Sequence, residues 1–463
     1  MNSATETPKI VVTFPTSYTL GSTCTFSGTT GQLSSSLTCT ATNSGADSKY
    51  EITNPFGGSN YATSATALSL TLGLVKNPNI VGSAGTFTLA TFITVAATDY
   101  AVDTGTLSPI TITAGSLISP SVTPSSTVAY ATGVTYSIGF TTQHAVVTNG
   151  IIDVIFPSGI IISDTSAATA GCKAGLGGAA TTSTSCTVVS STQIKFTALF
   201  SSASFSGAIV LEIPGIRNPR SLSASSSFSV TTTDNSANVI DTLSAGFTVT
   251  MASVLDLQDV SIENTATDEI NGAFDSYQVF VTAQTPTANG DRVVLRFPTS
   301  MSFPTSSASL TCTAGSNVVA VSCAMTSSTR TITATISSFT SGSVASGTQF
   351  DFTINTLGNP TSLAPFYMQS VNLVDSSGSS VNAYAAASST LIQNTQAAAI
   401  TSAILSQSTV IASSSATYNF RFTPINAIPQ NAKIELIYPS TVTVPTTITC
   451  SGLTGIPAGT TLD

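Results

Sequence analysis

Four prolines, Pro15, Pro157, Pro298 and Pro439, each close a short apolar stretch, and each stands one near-constant step beyond the last. Tyr136, Tyr277 and Tyr418 recur at that same step, as do the pairs Asn77-Pro78, Asn218-Pro219 and Asn359-Pro360. Three unrelated marks in one register define an internal repeat with a 141-residue period. Solenoid coils and propeller blades recur every 20–50 residues or so. The longer period instead fits a complete globular domain repeated in tandem.

Alternation within the repeat identifies its elements. Ile10, Val12 and Phe14 share one face of a period-2 pattern, and Ile152, Val154 and Phe156, then Val293, Leu295 and Phe297, then Ile434, Leu436 and Tyr438 repeat it. Their neighbours (Lys9 and Thr13, Asp153, Arg292 and Arg296, Lys433 and Glu435) leave the opposite face mixed. This is the pattern of a half-buried strand. A second strand precedes each Asn-Pro pair: Leu68, Leu70 and Leu72; Ile209, Leu211 and Ile213; Phe350, Phe352 and Ile354. A third begins at the recurring tyrosine: Tyr136, Ile138 and Phe140; Tyr277, Val279 and Val281; Tyr418, Phe420 and Phe422. One period holds seven or eight such strands, divided by Gly, Ser, Asn and Pro, with no helical run. The expected fold is all-β: tandem antiparallel Ig-like β-sandwich domains.

The register divides the chain into 1–115, a sandwich without its first strands; 116–256 and 257–397, two complete sandwiches; and 398–463, the first strands of another. Two readings follow. The sequence is a window on a longer array, or the tail at Tyr418, Phe420 and Phe422 completes the head at Ile10, Val12 and Phe14 of the next copy, so that the chain partners itself head to tail. The second reading leaves the proline-ended strand present twice, which favours the window.

With 12 Lys and Arg and a net charge of −9, the chain has no basic cluster to neutralise phosphates, so no nucleic-acid partner is expected. No run of 18 or more apolar residues occurs, so no membrane span is expected in this segment. The hydrophobic fraction of 41% is sufficient for packed cores. About a third of the residues are Ser or Thr, yet none of the 22 Asn opens an Asn-X-Ser/Thr sequon with X other than Pro. Runs such as Ser223–Ser229 and Ser121–Val128 are candidates for O-linked glycans, or simply solvated strand faces.

Six of the seven cysteines fall as local pairs after a proline-ended strand: Cys24 with Cys39, Cys172 with Cys186, and Cys312 with Cys323. Cys450 has a similar place in the last copy. Two Cys per repeat without His fall short of a four-ligand metal site, so disulfides and an extracellular or cell-surface location are expected. Catalysis finds little support. His144 is the one histidine, and Thr285 and Asn426 take its place one and two periods on, as at a loop position. The acids Asp256, Asp259, Glu263, Asp268, Glu269 and Asp275 cluster near the second domain junction, but the equivalent stretches 116–135 and 398–417 carry none, which argues against a systematic Ca²⁺ linker. No cofactor, metal or catalytic residue is assigned.

The 141-residue period, the "IFP", "RFP" and "IYP" strand ends, the Asn-Pro turns and the cysteine pairs resemble tandem Ig-like β-sandwich repeat proteins of extracellular fibres and of large, protist-like cell-surface proteins. The resemblance implies a structural segment of an extracellular filament or cell-surface stalk without catalysis, or the stalk of an adhesin or receptor whose binding domain lies elsewhere.

Overall fold

A computed structural model describes residues 6–448 except 31–32, 35–36, 45–46, 57–66, 80, 266–269, 307–308, 385–390, 393–395 and 429–431. Cys450, Asp268 and Glu269 lie outside the described residues.

The chain folds as serial antiparallel Ig-like β-sandwiches. Residues 115–249 form one, with two sheets closing on a single core. The first sheet runs Gly115–Ser116, Val239–Leu243, Ser229–Thr233, Ile151–Ile155, Gln193–Phe196, Cys186–Ser190. The second runs Ile118–Pro124, Val134–Thr141, Ala208–Arg217, Lys173–Leu176, Thr182–Ser183. The apolar positions of the alternating strands meet between them: Tyr136, Ile138, Ile152, Val154, Ile209, Leu211 and Ile213 are all 0% exposed. Burial of such side chains contributes roughly 1.5–3 kcal/mol each.

The next sandwich has the same order of elements. Arg292–Arg296 begins one period after Ile151–Ile155, Gln349–Gly358 one period after Ala208–Arg217, and Ser370–Val374 one period after Ser229–Thr233. Its core holds Tyr277, Val279, Val293, Leu295, Phe297, Phe350, Phe352 and Ile354. Here both sheets join in one nine-stranded path, because Leu255–Asn264 runs unbroken from one to the other. In the preceding sandwich the equivalent segment breaks at the buried Leu117.

The outer segments are sparser. Near the N-terminus, Thr98–Leu107, Phe87–Val95, Glu6–Phe14, Asp47–Thr53 and Thr38–Ser44 form one sheet, while among the described residues Phe26–Thr30 and Ser69–Leu72 pair only with each other. The core cluster there is small: Tyr18, Ala84 and Phe87. Near the C-terminus, Thr401–Gln407 and Tyr418–Thr423 form a two-stranded hairpin.

Three expectations need correction. A helix, Thr165–Gly171, precedes Cys172, and the Asp164 side chain caps it by accepting from the Ala167 amide at 2.8 Å. Parallel pairs interrupt the antiparallel sheets at Gly115↔Asp241 and Leu255↔Asn382, where each entering strand lies beside the last strand of its own sandwich. The stretch around Ile434, Leu436 and Tyr438 forms no strand, and Ile434, Leu436 and Ile437 are exposed. Alternation alone does not make a strand.

Candidate functional site: strand ties, joints and open edges

The recurring tyrosine and the recurring Asn-Pro pair are one device. Tyr136 Oη donates to Asn218 Oδ1 at 2.7 Å, and Tyr277 Oη donates to Asn359 Oδ1. Both asparagines are 0% exposed. Asn218 Nδ2 donates to the Ser126 and Val128 carbonyls at 2.8 Å each, and Asn359 Nδ2 to the Ile270 carbonyl at 2.8 Å. Each asparagine thus ties the tyrosine strand, the end of its neighbour strand and the incoming linker. Burial pushes the Tyr136 hydroxyl far above its ordinary pKa, which keeps it a donor. The sequence revealed both marks but not their bond; the constant 82-residue offset between them was the available signal.

His144 also has a partner. Its Nδ1 lies 2.7 Å from Oδ1 of Asp241, which is wholly buried and also accepts from the Gln143 and His144 amides at 3.0 and 2.9 Å. One period on, Thr285 donates to Asn382, whose Nδ2 holds the Leu255 and Asp256 carbonyls at 3.0 and 3.1 Å. Both pairs lie beside the entering strand. At Gly115 a Cβ would sit 2.2 Å from Asp241 Oδ1 and 2.4 Å from His144 Nδ1. Glycine therefore accompanies the larger His–Asp pair, and the smaller Thr–Asn pair tolerates Asp256. His144 thus lies beside the entering strand at Gly115, and the neighbouring Gln143 Oε1 accepts from the Ser116 amide at 2.7 Å.

The joint between the two complete sandwiches is polar and directional. Arg220, just past the Asn218-Pro219 turn, forks onto Asp291 of the next sandwich, with Nη1···Oδ2 2.6 Å and Nη2···Oδ1 2.7 Å. Asp291 is completely buried and also accepts from the Ala288 amide at 2.8 Å. Ser223 Oγ donates to Asp375 Oδ2 at 3.1 Å, and the Leu222 amide to the Ser380 carbonyl at 3.0 Å. Burial alone would push the Asp375 carboxyl up. Hydrogen bonds from Ser377, Ser221, the Ser379 amide and Ser223 outweigh it and hold the group down to about 2. At the preceding joint, the Val81 amide donates to the Val239 carbonyl at 2.8 Å. Val81 and Val239 stand one period before Leu222 and Ser380, so one inter-sandwich bond occurs at corresponding places in both joints.

Each cysteine pair is joined, with Cα–Cα separations of 6.1 Å for Cys24–Cys39, 6.4 Å for Cys172–Cys186 and 5.6 Å for Cys312–Cys323. Cys172 borders Lys173–Leu176 of one sheet and Cys186 opens Cys186–Ser190 of the other, so this bridge staples the sandwich edge. Closed loops of this size contribute about 3 kcal/mol each. Among the described residues no group of three His, Cys, Asp or Glu could hold a metal ion. Of the junction acids, Asp256, Asp259 and Glu263 face solvent, and Asp275 accepts from Asn264 Nδ2 at 3.3 Å and from Asn359 Nδ2. A shallow depression by the helix is lined by Thr165, Ser166, Thr169, Ala170, Thr187 and Val188, none of them acid or base. No helix among the described residues is long and apolar enough to cross a membrane.

Asn77 is exposed, and Tyr418 is half-buried against Tyr438 at a ring separation of 5.9 Å. The assembly positions Ile10 and Val12 lie in the interior of the N-terminal sheet, with Phe14 half-buried at its end. Tyr418, Phe420 and Phe422 form the half-buried face of the C-terminal hairpin. The structure does not bring these two sets together.

No family model and no curated protein matches the chain. Among solved structures, it is similar to the C-terminal domain of the Streptococcus pyogenes antigen I/II-family protein AspA, with 9% identity, a TM-score of 0.23, 58% of this chain and 97% of that one. It is also similar to the collagen adhesin of S. aureus, with 12% identity, a TM-score of 0.19, and 67% and 98% coverage. A membrane-anchored protein of Corynebacterium diphtheriae matches with 11% identity, a TM-score of 0.19, and 85% and 83% coverage. Likenesses this weak carry no functional inference.

Proposed function

We propose that this chain is a non-catalytic structural segment of an extracellular filament or cell-surface stalk, an array of Ig-like sandwiches repeating with the period of the sequence, with units at 1–115, 116–256, 257–397 and 398–463. The observation that carries the reading is the bond recurring from Val81–Val239 to Leu222–Ser380. When successive units dock by the same contact, one screw operation relates each to the next, and the array extends as a rod or open helix. Arg220–Asp291 and Ser223–Asp375 stiffen the second joint beyond that shared contact. The disulfides support an oxidising location outside the cytosol. The Ser/Thr-rich exposed faces can take O-linked sugars, and the chain's partner along the axis is another copy of itself, head to tail. Electron microscopy of single molecules should reveal thin, straight or evenly curved particles whose domains recur every ~35–50 Å, judged from strands of about 7–9 residues plus loops. Particles whose two complete sandwiches adopt many mutual angles would overturn the reading.

A further inference from the structure

We propose that the second complete sandwich binds a second copy of itself side by side, with Arg292 and Arg296 of one copy lying on Asp259 and Glu263 of the next. The contact is lateral. It goes beyond the array along the axis and stands on the two outer faces of one sandwich alone.

Charge is sorted between those faces. Arg292–Arg296 keeps Val293 and Leu295 inside at 0% exposure, so Arg292, Val294 and Arg296 point outward. The strands around it, Ser370–Val374, Thr331–Phe339 and Val318–Thr326, contain no acid. Asp256, an exposed acid on that sheet, lies beside Ala383, three strands from Val294. On the opposite sheet Leu255–Asn264 keeps Val260 and Ile262 buried, so Asp259 and Glu263 point outward and are exposed. Arg292 Nη2 donates to the Asp375 and Ser376 carbonyls at 3.3 and 3.0 Å. Among the described residues none of the four charges forms an ion pair.

The faces match in more than sign. Each pair of charges stands four residues apart in an unbroken run of one strand, so both spacings are about 13 Å. A half-buried apolar side chain lies between each pair: Val294 on one face, and Phe280, beside Ser261, on the other. The two strands also run the same way, being related by one parallel and two antiparallel pairings. Copies of one polarity therefore set Arg292 on Asp259, Arg296 on Glu263 and Val294 over Phe280. The faces look outward from opposite sides of one sandwich, so they meet only between chains. In the preceding sandwich both halves are missing together. Ile118 and Thr123 take the places of Asp259 and Glu263, opposite Thr141 and Ser137, and Ile151 and Ile155 take those of Arg292 and Arg296. Complementary charge of this kind fixes register and rejects wrong partners. Each contact leaves one face of each copy free, so the copies add into an open row.

The test compares the full-length protein with two charge-reversed forms by sedimentation velocity, at about 0.02 M and about 1 M salt. Arg292→Glu with Arg296→Glu makes both faces acidic, and Asp259→Lys with Glu263→Lys makes both basic. The wild type should associate at low salt and separate at high salt. Each reversed form alone should stay single, and an equal mixture of the two should associate again, at least about tenfold more tightly than either alone. Arg296→Glu and Glu263→Lys, each made alone, are the second pair of forms in case the loss of the Arg292 carbonyl bonds prevents folding. A wild type that stays single at high concentration and low salt, association that survives either reversal, or a mixture that stays dispersed would overturn the contact. Single chains that bind dextran sulfate through the arginines without associating would give that face to a polyanion and overturn it too. Each of these results leaves the array reading standing, because the axial joint is built on Arg220, Asp291 and Ser223.

Discussion

Tyr136 and Asn218 put two polar groups into an apolar interior, and the sandwich tolerates them because each satisfies the other. Tyr136→Phe keeps the ring and leaves Asn218 Oδ1 without its donor, so it should cost about 1–3 kcal/mol. Asn218→Ala also abandons the Ser126 and Val128 carbonyls and should cost more. Thermal unfolding of the two variants checks the order; if Tyr136→Phe is silent, the tie contributes nothing. The sequence displayed these residues as landmarks and suggested only a turn for Asn-Pro. Their bond was not legible, because side chains so far apart along the chain meet only once two strands are in register. His144 was likewise legible as a variable position but not as the partner of a buried Asp241.

Strands were legible where neighbours exist to complete them. Ile152, Val154 and Phe156 alternate, and so do Ile434, Leu436 and Tyr438, but only the first set is buried in a sheet. The pattern states which face would be inward; the ladder decides whether there is a strand. Thr165–Gly171 was missed for a different reason: its Ser and Thr residues looked like loop, although Asp164 before an alanine-containing run is a start signal. Leu211→Asp places an unpaired charge at a 0% exposed site and should unfold its sandwich, at a cost above about 4 kcal/mol. Thr71→Asp, on an exposed position, should stay within about 0.5 kcal/mol. Urea titration followed by tyrosine fluorescence separates them, and equal damage would invalidate the assignment of faces.

Across the whole molecule, the joints were invisible to the sequence. Arg220 and Asp291 belong to different sandwiches, and at the same places one period earlier stand Asn79 and Gly150, so no repeat marked the pair. The second joint carries this pair in addition to the shared bond, and it has its own acid limit. The Asp375 carboxyl is held below its ordinary value, to about 2, so its contribution is complete above about pH 4 and is lost as pH falls through about 2. Small-angle scattering should find constant particle dimensions from pH 8 to about pH 5 and a looser joint as pH drops from about 4 toward 2. Ser223→Ala, which removes one bond across the joint, should loosen it at higher pH than wild type; identical pH curves would remove Asp375 from the joint's mechanics.

The parallel pairing of each entering strand with the last strand of its own sandwich has a mechanical consequence. Leu255–Asp256 and Asn382–Ala383 lie side by side and run the same way, with the Asn382 side chain holding both carbonyls of the entering segment. Tension along the chain drags these two strands in opposite senses along their length. Their hydrogen bonds are then loaded together, in shear, and do not open one after another like a zip. A sandwich wired this way yields abruptly at a high load and resists smaller ones.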